Sequence, residues 1–267
     1  MNQRAFAIGA HPDDIEFGMA GTLILLKRAG FEIHYMNVAT GSCGSMEWDA
    51  ARTERVRLEE AKRAAVRIGA AFHPPLVPDI EIFYEKGLLA RLGSVVREVA
   101  PSILLVPSPE DYMEDHTNTA RLAVSAAFCR NMSNFPVDPP RAAVAGEVTV
   151  YHAQPYWNRD GLNRVVLPGL FVDVTGVLEE KVAMLAEHRS QKEWLDRSQG
   201  IDAYLTALRE STRETGELSG RFEYAEGWRR HNPLGFCAAT ADPLSDALGE
   251  LVCGDAAGDR SSVIGDR

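Results

Sequence analysis

RAFAIGAHPDDIEFG, residues Arg4–Gly18, is an apolar run that ends in a histidine, a proline and two adjacent aspartates. Its first part, Arg4–Ala10, reads as a buried β-strand. A single carboxylate at that point is an ordinary helix cap. Two carboxylates beside an imidazole point to chemistry at a strand end.

Outward from this stretch, strands alternate with helical patterns. MAGTLILLKRAG (Met19–Gly30) reads as a helix stopped by glycine, and IHYMNVAT (Ile33–Thr40) as the next strand. The Gly/Ser-rich GSCGS loop leads to a helix over Arg52–Ile68, with Leu58, Ala61, Ala65 and Ile68 on one face and Glu59 and Arg63 paired outside. A helix over Leu88–Val99 precedes the strand SILLVP (Ser102–Pro107). Strand-helix-strand repetition with short connections predicts an α/β, Rossmann-like parallel sheet with helices on both faces. The second half is less regular and decorates this core. It holds a Pro-rich loop (Asn134–Gly146), strands at EVTVYHA and GLFVDVT, and helices over Gly176–Ser190 and Ile201–Arg213. The expected organisation is one domain over residues 1–240 and a peripheral tail, 241–267, rich in Gly, Asp, Ala and Ser.

The net charge of −10 argues against a nucleic-acid partner, which requires a basic face. No apolar stretch is long enough to span a membrane and no signal-peptide pattern opens the sequence, so a cytoplasmic location is expected. The four cysteines, Cys43, Cys129, Cys237 and Cys253, form no CxxC pair and no zinc knuckle.

Ligands of open α/β sheets lie beyond the carboxyl ends of the strands. His11, Asp13 and Asp14 occupy that place after the first strand. A second polar cluster, with Asp111, Tyr112, Asp115 and His116, follows SILLVP. Convergence of the two suits zinc hydrolysis, in which three His or carboxylate ligands leave one position open. His11 and Asp14 lie three residues apart and can reach one ion from a tight turn, and His116 completes the set. Asp13 cannot easily chelate beside its neighbour, but it can take a proton from a water that zinc has made acidic, with a pKa of ~7. Capping is the structural alternative for the aspartate pair, and the second Asp-His cluster weighs against it. His34 and His73 read as structural and His231 as a packing residue. GMAGT lacks the GxGxxG fingerprint, and TGSCGS is no Walker loop.

AHPDDIEFGMAGTL, TGSCGS, RLEEAKRAAVRIGA, EDYMEDHTNTARLAVSAAF, EHRSQ and YAEGW together resemble, in order, the PIG-L/LmbE-type zinc N-deacetylases over about residues 4–230. These include enzymes that remove acetyl from N-acetylglucosamine units of bacillithiol, mycothiol and glycolipid precursors. The resemblance implies zinc on His11, Asp14 and His116, with Fe2+, Co2+ or Mn2+ also accepted by such a site. It implies Asp13 as general base, Asp115 as the group orienting a histidine, and Arg57 as a substrate contact whose structural alternative is a helix-surface charge pair. It further implies trimers or hexamers and an amino-sugar substrate.

One position departs from the family pattern. Many relatives place an oxyanion-holding histidine three residues before the metal histidine, where this chain has Met113, and a thioether donates no hydrogen bond. The replacement donors are His188 foremost, then Tyr112, with His152 third; His188 has helix capping as its structural alternative. Tyr156, Trp157, Trp194 and Trp228, with Asn158, Arg159 and Asp160, suit the rim of a sugar pocket. The expected activity is removal of an N-acetyl group from an N-acetylglucosamine-type sugar. The alternatives are an amidase acting on another amide, as mycothiol-conjugate amidases do, and a metal-containing carbohydrate-binding protein with weak turnover.

Overall fold

A computed structural model of the chain describes residues 3–192 and 203–254. Its centre is an eight-stranded sheet of order β3-β2-β1-β4-β5-β7-β6-β8. The strands are β1 (Arg4–Gly9), β2 (Glu32–Asn37), β3 (Ala71–His73), β4 (Ile103–Val106), β5 (Thr149–Ala153), β6 (Leu170–Asp173), β7 (Ala225–Arg230) and β8 (Val252–Gly254).

Side chains alternate across β1, so Ala5 and Ala7 face one core while Phe6 and Ile8 face the other. The first core is closed by α2 (Ala20–Arg28), α3 (Ala50–Arg67) and α6 (Leu178–Leu185), through residues such as Leu23, Ala61 and Met184. The second is closed by α4 (Lys86–Val99) and α5 (Glu114–Phe128), through Leu92, Val96, Leu122 and Ala126. The expected α/β architecture with helices on both faces is present.

The sheet is mixed rather than parallel throughout. β3, β2, β1, β4 and β5 run parallel, whereas β7 is antiparallel to both β5 and β6, and β8 to β6. The strand that imposes this reversal, β7, carries Glu226, Arg229 and Arg230 and has no apolar run to announce it. It is stable in the sheet because Glu226, buried, accepts the Gly21 and Thr22 backbone N–H groups (2.8 and 2.7 Å) and the Lys181 ammonium (2.6 Å).

Two further boundaries differ. The helix expected over Gly176–Ser190 is a 3-10 turn (Thr175–Val177) followed by α6, which ends before His188. The helix expected over Ile201–Arg213 is α7 (Ala203–Ser219), and residues 201–202 lie outside the described residues. The peripheral tail is also corrected over part of its length. Asp242 caps a short helix, α8 (Pro243–Leu248), by accepting from the Ser245 N–H, and proline opens the helix where its missing donor costs nothing. This helix buries Leu244 and Leu248 in the first core, and β8 then adds to the sheet edge. The rest of that tail, 255–267, lies outside the described residues.

Candidate metal centre

β1 and β4 are parallel neighbours, so the segments that leave their carboxyl ends emerge side by side. After β1 the chain turns tightly. Asn37 donates to the His11 carbonyl (2.6 Å), Asp13 adopts a left-handed φ of 110°, and Asp14 opens α1 (Asp14–Gly18). Asp14 Oδ2 accepts the backbone N–H groups of Ala10 and His11 at 2.9 and 2.7 Å. Its Oδ1 is left facing His116 Nε2, 3.3 Å away.

After β4, the first turn of α5 supplies Asp115 and His116. His11 Nε2 meets Asp115 Oδ2 at 2.9 Å, and His116 Nδ1 meets Asp111 Oδ1 at 2.9 Å. Each ring is therefore oriented by a carboxylate on one nitrogen, which frees the other for a cation. Ligand atoms of His11, Asp14 and His116 all lie within 4.8 Å of one another. Two imidazoles and one carboxylate, each backed by a hydrogen bond, fit a divalent cation that accepts nitrogen and oxygen donors.

The electrostatics agree with that fit. Burial works against a charged His11, yet the Asp115 and Asp14 hydrogen bonds carry its pKa to about 9. Burial likewise opposes His116, and the Asp14 and Asp111 carboxylates hold it well above its ordinary value. Burial would raise Asp14, but His116 and His11 keep it well below the usual carboxylate range. Without a cation, protons on the two rings balance the carboxylates; a cation takes their place.

Asp13 sits beside this cluster and, among the described residues, makes no hydrogen bond or ion pair with either histidine. Its Oδ2 accepts the Tyr204 hydroxyl at 2.7 Å, and Arg57 Nη2 lies 3.4 Å from the same oxygen. Burial pushes its pKa up, with Arg57 and His188 opposing. A buried carboxylate near charge balance is a suitable proton acceptor.

Residues 6–127, which contain both polar clusters, match the family model PIG-L, described as GlcNAc-PI de-N-acetylase. Over that stretch the chain is similar to the PIG-L family. It is 28% identical over 236 residues to the diacetylchitobiose deacetylase of Thermococcus kodakarensis, covering 85% of this chain and 82% of that protein. The structure resembles an N,N'-diacetylchitobiose deacetylase from Pyrococcus horikoshii, with a TM-score of 0.72, 22% identity, and coverage of 91% of this chain and 88% of that one. It also resembles a 4-carboxy-2-hydroxymuconate hydratase from Pseudomonas putida, with a TM-score of 0.69, 25% identity, and coverage of 90% and 99%.

The cluster opens into a cavity of about 380 Å³, lined by Asp13, Asp14, Tyr112 and His116 among others. Tyr112 stands edge-on to His116, with ring centroids 5.7 Å apart. Burial and the Asp14 charge raise its pKa, so the phenol keeps its proton. Tyr156, Trp157 and Asn158 line the same cavity, Asn158 as a buried residue. Arg159 and Asp160 do not: Asp160 accepts from Leu162 N, Arg164 N and Arg164 Nε within its own loop. Trp228 is wholly buried in the first core, where its indole N–H donates to Thr22 Oγ1 at 3.0 Å. Trp194 lies outside the described residues.

The structure corrects two roles expected of named residues. His188 is fully buried, 3.3 Å from Glu16 Oε2, and does not line the cavity; what reaches the site from it is its charge, which bears on Asp13. Arg57 is also buried and off the cavity wall. It donates to the Pro12 carbonyl and, at 3.4 Å, to the Gly41 carbonyl, bracing the turn that carries Asp13 instead of reaching substrate. His152 is excluded as well. Burial depresses its pKa to about 4, and its ring is taken up by the Pro107 carbonyl (2.9 Å) and His231 (3.0 Å). His34 and His73 form a stacked, hydrogen-bonded pair remote from the cluster, as structural histidines should.

Three participants escaped the sequence reading. Asp111 was visible in its cluster, but its pairing with His116 was not. Tyr204 and the Lys181–Glu226 ion pair in the cavity wall carry no local pattern, because each meets its partner across a long sequence separation.

Proposed function

We propose that the protein is a metal-dependent hydrolase that removes the acetyl group from an N-acetylated amino sugar. The observation that carries this reading is the Asp13 carboxylate beside the His11–Asp14–His116 cluster on one cavity. A divalent cation held by His11 Nδ1, Asp14 and His116 Nε2 would polarise the amide carbonyl and acidify water. Asp13 accepts the proton of the attacking water and, once protonated, is the group at hand to return it to the departing amine. Tyr112, protonated and beside His116, is the hydrogen-bond donor that takes over at the oxyanion from the histidine absent at Met113. The Tyr156 and Trp157 rings offer apolar faces to a sugar, while the Asn158 and Gln154 amides behind them are engaged with each other, with Thr215 and with the Val166 carbonyl.

The resemblance to a hydratase favours a second reading, in which the same base and cation add water to an unsaturated carboxylate. The cavity charge supports the first. Its described lining has four acidic groups, Asp13, Asp14, Asp111 and Glu226, against two basic ones, His116 and Lys181, and Lys181 is already paired with Glu226. With a divalent cation on Asp14 and a neutral His116, and Lys181 charged, that lining still sums to one net negative charge, which suits a neutral sugar and its cationic amine product better than a polycarboxylate.

The test is acetate and free-amine release from N-acetylglucosamine and its conjugates by metal-loaded protein. Wild type should release both in equal amounts, and Asp13→Asn should retain its metal while losing ~10²–10⁴ in turnover. Amine release without acetate would indicate an amidase on another amide. Hydration of a 2-hydroxymuconate-type acid without amide cleavage would establish the second reading, and saturable sugar binding without turnover a binding protein.

A further inference from the structure

We propose that Tyr204 is the positioning residue of the general base: with Arg57 it fixes one oxygen of Asp13 and so presents the other to the reacting water. The proposal rests on the reading of Asp13 given above. Both contacts fall on the same atom, Oδ2, from Tyr204 Oη at 2.7 Å and Arg57 Nη2 at 3.4 Å. Among the described residues no donor is recorded on Oδ1. The Asp13 side chain keeps 15% of its surface exposed and lines the cavity, so its accessible oxygen is the unengaged one.

A carboxylate rotates readily about its last torsion, which is broad and two-fold. Nothing in the Asp13 backbone prevents that rotation, although its left-handed φ of 110° fixes where Cβ points. The restraint has to come from hydrogen bonds, and Tyr204 makes the short one. Arg57 is the weaker partner because its Nη2 is also committed to the Pro12 carbonyl. Tyr204 itself cannot swing away: it is 2% exposed, packs with Leu178, Val182, Leu185 and Leu208, and meets the Phe17 ring edge-on at 5.4 Å. Phe17 belongs to α1, the helix that Asp13 precedes. The tyrosine is thus fixed to the same short element whose entry it orients.

The test uses the full-length, metal-loaded Tyr204→Phe variant, which keeps the ring and its packing and removes only the hydroxyl. Turnover number should fall about ten-fold, as expected for loss of a hydrogen bond to a charged group, while KM stays within about two-fold. Metal stoichiometry and melting temperature should match wild type. In its crystal structure the Asp13 carboxylate should rotate or occupy two orientations. An unchanged turnover number, a loss confined to KM (which would make Tyr204 a substrate contact), or an unmoved Asp13 carboxylate would overturn the proposal. If wild type releases no acetate, the functional reading fails by itself, and the Asp13 orientation in the variant crystal still decides this one.

Discussion

Adjacent aspartates in one turn are assigned different work by what holds each. Asp14 has Oδ2 fixed by two backbone N–H groups and turns Oδ1 to His116, whereas Asp13 faces Tyr204 and Arg57 from the other side of the turn. The different surroundings of the two carboxylates were legible in HPDD, because adjacent residues of one tight turn cannot easily face the same side. The full burial of His188 was not, since it is set by partners such as Glu16 that lie far away in the chain. The His11 pKa leads to a prediction at this scale. In the metal-free protein the ring is protonated up to about pH 9, so a proton must leave before Nδ1 can bind a cation. Metal affinity should rise as pH increases from neutral to about 9 and then level off at this group. The stability of the metal-free protein should respond oppositely: the raised pKa contributes stability below the ordinary 6.5 that is lost as pH rises through about 9. Calorimetry of metal binding in buffers of different ionisation enthalpy should detect the released proton, and its absence at neutral pH would refute the linkage.

Among the elements, α3 and the glycine loop before it form one device that sequence displays as two unrelated pieces. Gly41 has φ +80°, and a Cβ there would lie 2.8 Å from Arg57 Cδ; a Cβ at Gly44 would strike the guanidinium. The loop is glycine-rich because the Arg57 side chain passes through it to reach the turn at Pro12. No periodicity in either segment reveals this, since helix patterning reports only which face is apolar. Gly41→Ala should therefore introduce left-handed strain and displace Arg57. The expected cost is roughly 1–3 kcal/mol of stability, together with reduced turnover and retained metal. Denaturant unfolding and metal analysis on the variant check this; wild-type stability with wild-type turnover would show that the loop does not restrain Arg57.

At the scale of the whole molecule, most of the parallel half could be read from the sequence because β1, β2 and β4 are apolar runs with a helix after each, whereas β3, three residues with none buried, left no such signal. The antiparallel half could not, since strand direction is set by β7, whose charged residues are stable only among partners distant in the chain. The same holds for α8, whose composition looked too polar and small to bury anything, although Leu244 is fully buried and Tyr151 donates to Asp242 at 2.6 Å. Leu244→Ala should cost about 2–5 kcal/mol, the usual range for emptying a buried leucine site. Thermal unfolding measures that loss, while metal content and KM should stay at wild-type values; a neutral effect would return this segment to the periphery. The two halves of the sheet also divide the cavity between them. The His11–Asp14–His116 cluster and Asp13 come from the segments after β1 and β4, while the rest of the cavity wall comes largely from the segment after β5, from β7 and from α7. Apart from Tyr204, which holds Asp13, most of this wall is encoded separately from the cluster, so substitutions at wall positions such as Tyr156, Trp157 or Ser211 should reshape the cavity while His11, Asp13, Asp14 and His116 keep their places.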